Sequence, residues 1–188
     1  MAESTNGIPS FDTSALRESG FIATAEERRF VVTHQTPDTL ITGQTSFAAT
    51  TPTFLIRQSA TSVRLVLRSI LLAQGGVPAS GLVRVVVALD TADRLSVAGT
   101  THTPQQLNSL SSRASGITAF HTSPTATAAG AGTRYILETA SPAGLGTNIN
   151  INFKDSVITN TTSSILVYTW ATTGPQWFWN FEWAEFPA

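Results

Sequence analysis

Threonine and serine set the terms for this chain: 29 Thr and 19 Ser stand among 188 residues, set between short runs of Val, Ile and Leu. β-branched side chains are stiff at χ1, fit a pleated, half-buried surface and disfavour helix interiors. The apolar runs recur between clusters of Gly, Pro, Ser and Asn, the residues that separate strands by turns. These features predict an all-β fold, an antiparallel β-sandwich of about eight to ten strands. Connections of unequal length suit Greek-key winding better than a simple meander, so a jelly roll is the expected topology.

Charge narrows the functions. Charged residues make up 12% of the chain and the net charge is −1, against roughly 25% charged in an average domain. The ten Arg and one Lys are dispersed, the closest cluster being Arg28-Arg29. No basic stripe exists to neutralise phosphates, so nucleic acid is not an expected partner. A weakly charged, hydroxyl-rich surface meets other proteins with little charge to desolvate. With no Cys, neither a disulfide scaffold nor a thiolate zinc site is available. The opening MAESTNGIPSFDTS has no basic n-region and no apolar h-region, so no secretory signal is expected. No apolar run approaches the length of about 18 residues that suggests a membrane span.

The chain divides into an extended arm, residues 1–20, and one domain, residues 21–188. The arm reads either as a disordered tail or as a segment that orders against a neighbouring subunit. Ala25 to Arg29 has the make-up of one helical turn. Strands are expected at Arg29–Thr33, Thr39–Thr42, Thr45–Ala48, Thr53–Arg57, Val63–Leu72 and Gly81–Leu89. Further strands are expected at Gly116–His121, Arg134–Glu138, Asn148–Phe153, Ser164–Trp170 and Gln176–Ala184. The two long strands either side of Gln74-Gly75-Gly76-Val77-Pro78 read as an antiparallel, hairpin-like pair. Residues 91–116 are irregular, with one short helix expected over Gln105–Leu110. A connection of that length is usually functional or interfacial.

The sharpest local signal is the C-terminal stripe. Trp177, Trp179, Phe181 and Trp183 fall on one face of a strand at period two. Such a strand anchors a core or a subunit interface, or, if exposed, offers a sugar-stacking platform. Catalytic chemistry is hard to find. No G-x-S-x-G stands in the chain, and Glu182 with Glu185 is the only tempting acid pair, expected to face solvent. Asp90 and Asp93 lack the Gly and Glu of an EF-hand loop and read as solvated turn acids. His34, His102 and His121 are far apart in the chain, and none has a second ligand residue at metal-binding spacing. They are expected to be exposed or satisfied structurally. The sequence thus predicts no catalytic, cofactor-binding or metal-binding residue, and a non-enzymatic protein.

Three stretches carry a family resemblance. Thr42-Gly43-Gln44-Thr45-Ser46-Phe47 through Thr51-Pro52-Thr53-Phe54-Leu55-Ile56-Arg57 is similar to segments of phage virion structural proteins of jelly-roll type. So are Thr103-Pro104-Gln105-Gln106-Leu107-Asn108 with Ser111-Ser112-Arg113, and the ending Trp179-Asn180-Phe181-Glu182-Trp183. The pattern spans roughly residues 35–186. The resemblance implies a virion component, made in the host cytoplasm and often trimeric, with no catalytic residue to carry over. The first expectation is a capsid decoration (cement) protein that bridges subunits of the major capsid protein. A jelly-roll shell protein comes next, then a carbohydrate- or receptor-binding module of a tail fibre. No membrane partner is implied.

Overall fold

The computed structural model describes residues 28–58, 62–77, 79–159 and 162–188. The arm expected over residues 1–20 lies outside the described residues, as does most of the helical turn expected over Ala25–Arg29. Every regular element among the described residues is a strand. In chain order these are β1 (Arg29–Thr33), β2 (Ile41–Thr42), β3 (Phe54–Gln58), β4 (Val63–Gln74), β5 (Leu82–Asp90), β6 (Leu95–Val97) and β7 (Thr100–His102). There follow β8 (Gln105–Gln106), β9 (Ile117–His121), β10 (Thr125–Ala126), β11 (Thr133–Pro142), β12 (Asn148–Ile158), β13 (Ser163–Trp170) and β14 (Gln176–Pro187).

The strands form two six-stranded antiparallel sheets and one two-stranded ribbon. The first sheet runs β12-β4-β14-β1-β8, with β2 continuing the line of β1 alongside β14. The second runs β11-β5-β13-β3-β9-β7, and β10 pairs with β6. Inner faces of both sheets share one core. Phe30, Leu67, Ile70 and Leu72 from the first meet Phe54, Ile56, Val85 and Val167 from the second. The period-two patterns explain which side faces in. Ile149, Ile151 and Phe153 are buried while Asn148, Asn150 and Asn152 are exposed. Trp177, Trp179, Phe181 and Trp183 are all within the core, none more than 4% exposed. Burying each such ring contributes roughly 2–3 kcal/mol, and β14 sits mid-sheet, paired on both sides.

A second, smaller cluster lies on the outer face of the second sheet. Leu55, Val86, Ala88, Leu166 and Tyr168 pack there with Phe120 and Ala126. This is why β13 is buried along almost its whole length instead of alternating: apolar material covers both of its faces.

Three sequence expectations change. β4 and β5 are not a hairpin but lie in different sheets. The Gly75 amide bonds to Gln176 O at 3.0 Å, which ties the turn to β14 and carries the chain across the core. The helix expected over Gln105–Leu110 is the short strand β8, paired with Val31 and Phe30, and then a turn. Thr45–Ala48 forms no strand; a single parallel bridge, Gln44 to Trp170, holds that segment on the sheet.

Candidate functional site

The carboxylates singled out in the sequence are not the solvated acids expected. Glu185 is fully buried at the end of β14. Its carboxylate accepts from Trp183 Nε1 (3.1 Å) and from the Gly116 amide (3.1 Å), and the Ser115 hydroxyl donates to it as well. Glu182 is ion-paired with Arg29 and, at 3.5 Å, with Arg68. Asp90 is 1% exposed, accepting from the Ala92 amide at 2.9 Å and pairing with Arg94 at 3.3 Å. Asp93 pairs with Arg57 at 2.6 Å. Buried charges are retained where partners satisfy them, as at Glu185 and Asp90, while the partly buried Glu182 and Asp93 tie segments together through ion pairs.

The fold also brings together three histidines that are distant in the chain. His34, His102 and His121 come together, with one candidate ligand atom from each within 4.8 Å of the others. Ring centroids are 4.2 Å apart for His102–His121, 5.0 Å for His34–His102 and 5.3 Å for His34–His121. No carboxylate joins the group among the described residues. The ladder explains the pair: His102 lies opposite Ala119 and His121 opposite Thr100. The two His are thus diagonal neighbours on one face of β7 and β9, within reach for long or aromatic side chains. That face is the inner one, since Ala119 belongs to the main core. There the pair meets the edge of Trp179 from the opposite sheet, at centroid distances of 5.4 and 5.7 Å. His34 arrives from the first sheet, one residue past β1, where Thr33 Oγ1 donates to Trp179 O at 2.7 Å.

Each ring is oriented differently. His34 Nδ1 lies 2.9 Å from Thr36 O and 3.1 Å from the Thr36 amide, so that nitrogen serves the turn. His121 Nδ1 meets the Thr122 hydroxyl, and its Nε2 faces Nε2 of His102. Among the described residues, the buried His102 Nδ1 has no hydrogen-bond partner. Burial first, then repulsion from the neighbouring imidazoles, holds His121 down to about 3. Burial and then His34 lower His102 as well. Both rings are therefore neutral at physiological pH, the state in which an imidazole has a lone pair to give.

The turn behind His121 is strained. Thr122 and Ser123 both adopt left-handed φ, 55° and 60°. For a β-branched residue this conformation is an outlier costing on the order of 1–3 kcal/mol. It places the Thr122 hydroxyl against His121. A Cβ on Gly99 would run into the carbonyl oxygens of His121 and Thr122, so only glycine lets the chain pass so close to this turn.

A signal for the cluster was present in the sequence. Each histidine ends or follows a strand and is followed by Thr and Pro: His34-Gln35-Thr36-Pro37, His102-Thr103-Pro104 and His121-Thr122-Ser123-Pro124. Metal-ligand spacing rules look for neighbours along the chain and miss three turns that meet in space.

A second feature lies on the outside of the other sheet. Phe47, Val86, Tyr135, Glu138 and Trp170 line an open cavity of about 300 Å³. Phe47 packs on Tyr168, Trp170 and Tyr135 at 5.1, 5.4 and 6.2 Å. Beside it runs β11, a ten-residue edge strand in which Tyr135 is 53% and Ile136 37% exposed. Compared with known proteins, the chain matches no family model, and no curated protein or solved structure matches it either.

Proposed function

We propose that the chain is a non-enzymatic structural protein of a virus particle, built as a jelly roll and acting by assembly. The strand order carries this reading. β2 and β6–β10 can be set aside as insertions, leaving eight strands: β1, β3, β4, β5, β11, β12, β13 and β14. Numbered first to eighth, they give one sheet in the order first-eighth-third-sixth and the other second-seventh-fourth-fifth. Two Greek keys wound together produce that interleaving, and the architecture recurs in viral capsid and lectin domains. The similarity of residues 42–57, 103–113 and 179–183 to phage virion proteins favours the capsid side.

Within that class, a decoration protein fits the surface best. The β11 edge is long, open and partly apolar, whereas natural edges are normally short, charged or covered. A heterologous contact, in which the β11 edge of one copy meets a different surface of the next, closes a ring of three and would supply a trimer contact that needs little charge desolvation. A trimer seated over shell-subunit junctions then strengthens the head through several weak contacts acting together. The carbohydrate-binding alternative drew on an exposed aromatic stripe. With that stripe buried, its remaining support is the fold alone.

Light scattering after size exclusion at physiological salt, with electron microscopy of the same sample, tests this. A trimer is expected, and Tyr135→Lys should reduce it to a folded monomer. Closed shells would move the chain to the shell-protein class. A monomer at every concentration would sink self-assembly through β11.

A further inference from the structure

We infer that His34, His102 and His121 form a binding site for a divalent transition-metal ion of the zinc type, which staples the two sheets together at one end of the core. The ligand set decides the class of ion. Three imidazoles, with no carboxylate beside them among the described residues, suit Zn²⁺, Co²⁺, Ni²⁺ or Cu²⁺, whereas Mg²⁺ and Ca²⁺ require oxygen ligands. Three protein ligands leave one position of a tetrahedron for water or an anion, and His34, only partly buried, lies on the solvent side.

Four observations converge. First, the rings come from both layers: His34 follows β1 of the first sheet, while His102 and His121 end β7 and β9 of the second. An ion among them links the sheets where this cysteine-free chain has no covalent tie. Second, one ring nitrogen on each of two histidines is already engaged, His34 Nδ1 by the Thr36 backbone and His121 Nδ1 by Thr122. Ligand histidines nearly always hold their other nitrogen this way, which fixes the ring and directs Nε2 at the metal. Third, Nε2 of His102 faces Nε2 of His121. An ion between them would engage both Nε2 lone pairs at once, where a hydrogen bond engages only one. Fourth, the left-handed Thr122-Ser123 turn and the glycine-only approach at Gly99 hold His121 in place. Strained backbone persists where the surroundings over-determine it, and it clusters at functional sites.

The geometry is within reach. Nitrogens bound at about 2.0–2.1 Å to a tetrahedral zinc lie about 3.3 Å apart. Ligand atoms already within 4.8 Å of one another reach that spacing by ring rotation. The inference concerns the fold's own stability and does not depend on whether the chain assembles.

The test uses the full, tag-free chain, stripped with a chelator and titrated with Co²⁺. One equivalent should bind and give the intense visible bands of four-coordinate cobalt, and Zn²⁺ should displace it. Stoichiometric Zn²⁺ should raise the melting temperature by several degrees, while Mg²⁺ leaves it unchanged. His34→Ala is the informative variant, because His34 is the least buried of the three rings. It should melt like wild type in chelator yet lose the cobalt bands and at least tenfold in affinity. His102→Ala should lose binding too, but its folding is less assured, so the inference rests on His34→Ala. Absence of saturable Co²⁺ binding, or wild-type affinity in His34→Ala, would overturn the site.

Discussion

Tyr168 illustrates how one buried hydroxyl ties stability to pH. The residue is 3% exposed and donates its hydroxyl to Ala49 O at 2.9 Å. Burial foremost, with Tyr135 and Asp90 adding and Arg94 opposing, pushes its pKa up to about 12. The unfolded chain releases this proton near pH 10, so between about pH 10 and 12 the folded state holds a proton that the unfolded state has lost. The contribution is complete below pH 10 and falls as pH rises, by roughly 2–3 kcal/mol over that interval. Urea unfolding at pH 8 and pH 11 should show a steeper loss in wild type than in Tyr168→Phe. Equal losses would mean that the hydroxyl is not held in its neutral form. At low pH, by contrast, Tyr168 is protonated in both the folded and the unfolded chain, so stability does not vary with its titration.

At the scale of the element, β4 is governed by one extra residue. Ser69 pairs with Glu182 and Leu67 with Trp183, so Arg68 is the extra residue of a β-bulge in the ladder with β14. The bulge resets the phase of the strand. Leu65 and Leu67 point inward before it, Ile70 and Leu72 after it, which strict alternation through Val63, Leu65, Leu67 and Ser69 does not anticipate. A one-residue slip in a strand exchanges its two faces. Deleting Arg68 would set Leu65, Leu67, Ile70 and Leu72 at strict period two, all still facing the core, and should cost about 1 kcal/mol, little more than the lost ion pair with Glu182. Arg68→Ala keeps the bulge and should cost about 1 kcal/mol or less, the value of a partly exposed ion pair. Urea midpoints of the two variants make the comparison; a deletion that costs several kcal/mol more than Arg68→Ala would mean that the bulge itself is required. The sheet edges differ in the same spirit. β12 shows solvent its Asn148, Asn150 and Asn152, while β11 shows Tyr135 and Ile136, the latter at a bulge of its own.

For the whole molecule, the decisive fact is that one core spans both sheets. Neither sheet buries its inner face alone, and polar ties cross between them. Trp177 Nε1 donates to Thr169 Oγ1 at 2.9 Å, and Glu185 on β14 accepts from the Gly116 amide beside β9. Unfolding should accordingly be a single cooperative event. Tryptophan emission, which reports the buried Trp177, Trp179 and Trp183, should start strongly blue-shifted and change with the same urea midpoint as far-UV circular dichroism. Separate midpoints would mean that the β6–β10 region or one sheet comes apart independently. Folding should take milliseconds to seconds, because nearly every strand pairs with one distant in sequence.

What the sequence determined by itself was local. The position of most strands, the inward stripe Trp177-Trp179-Phe181-Trp183 and the alternation around Ile149, Ile151 and Phe153 follow from a period of two written along the chain. The tertiary structure decided which strand lies beside which. β4 and β5 are neighbours in sequence but sit in opposite sheets, because the Gly75–Gly76 turn is bound to β14 and not to a hairpin partner. It also decided the fate of the polar residues. Glu185 and Asp90 look like surface acids until Trp183, Gly116, Ala92 and Arg94 are brought around them. The histidines were the least legible, because His34, His102 and His121 are separated by 68 and 19 positions and meet only when three strand ends converge. Burial and pairing depend on contacts between distant segments, and no periodicity in one segment encodes its partner in another.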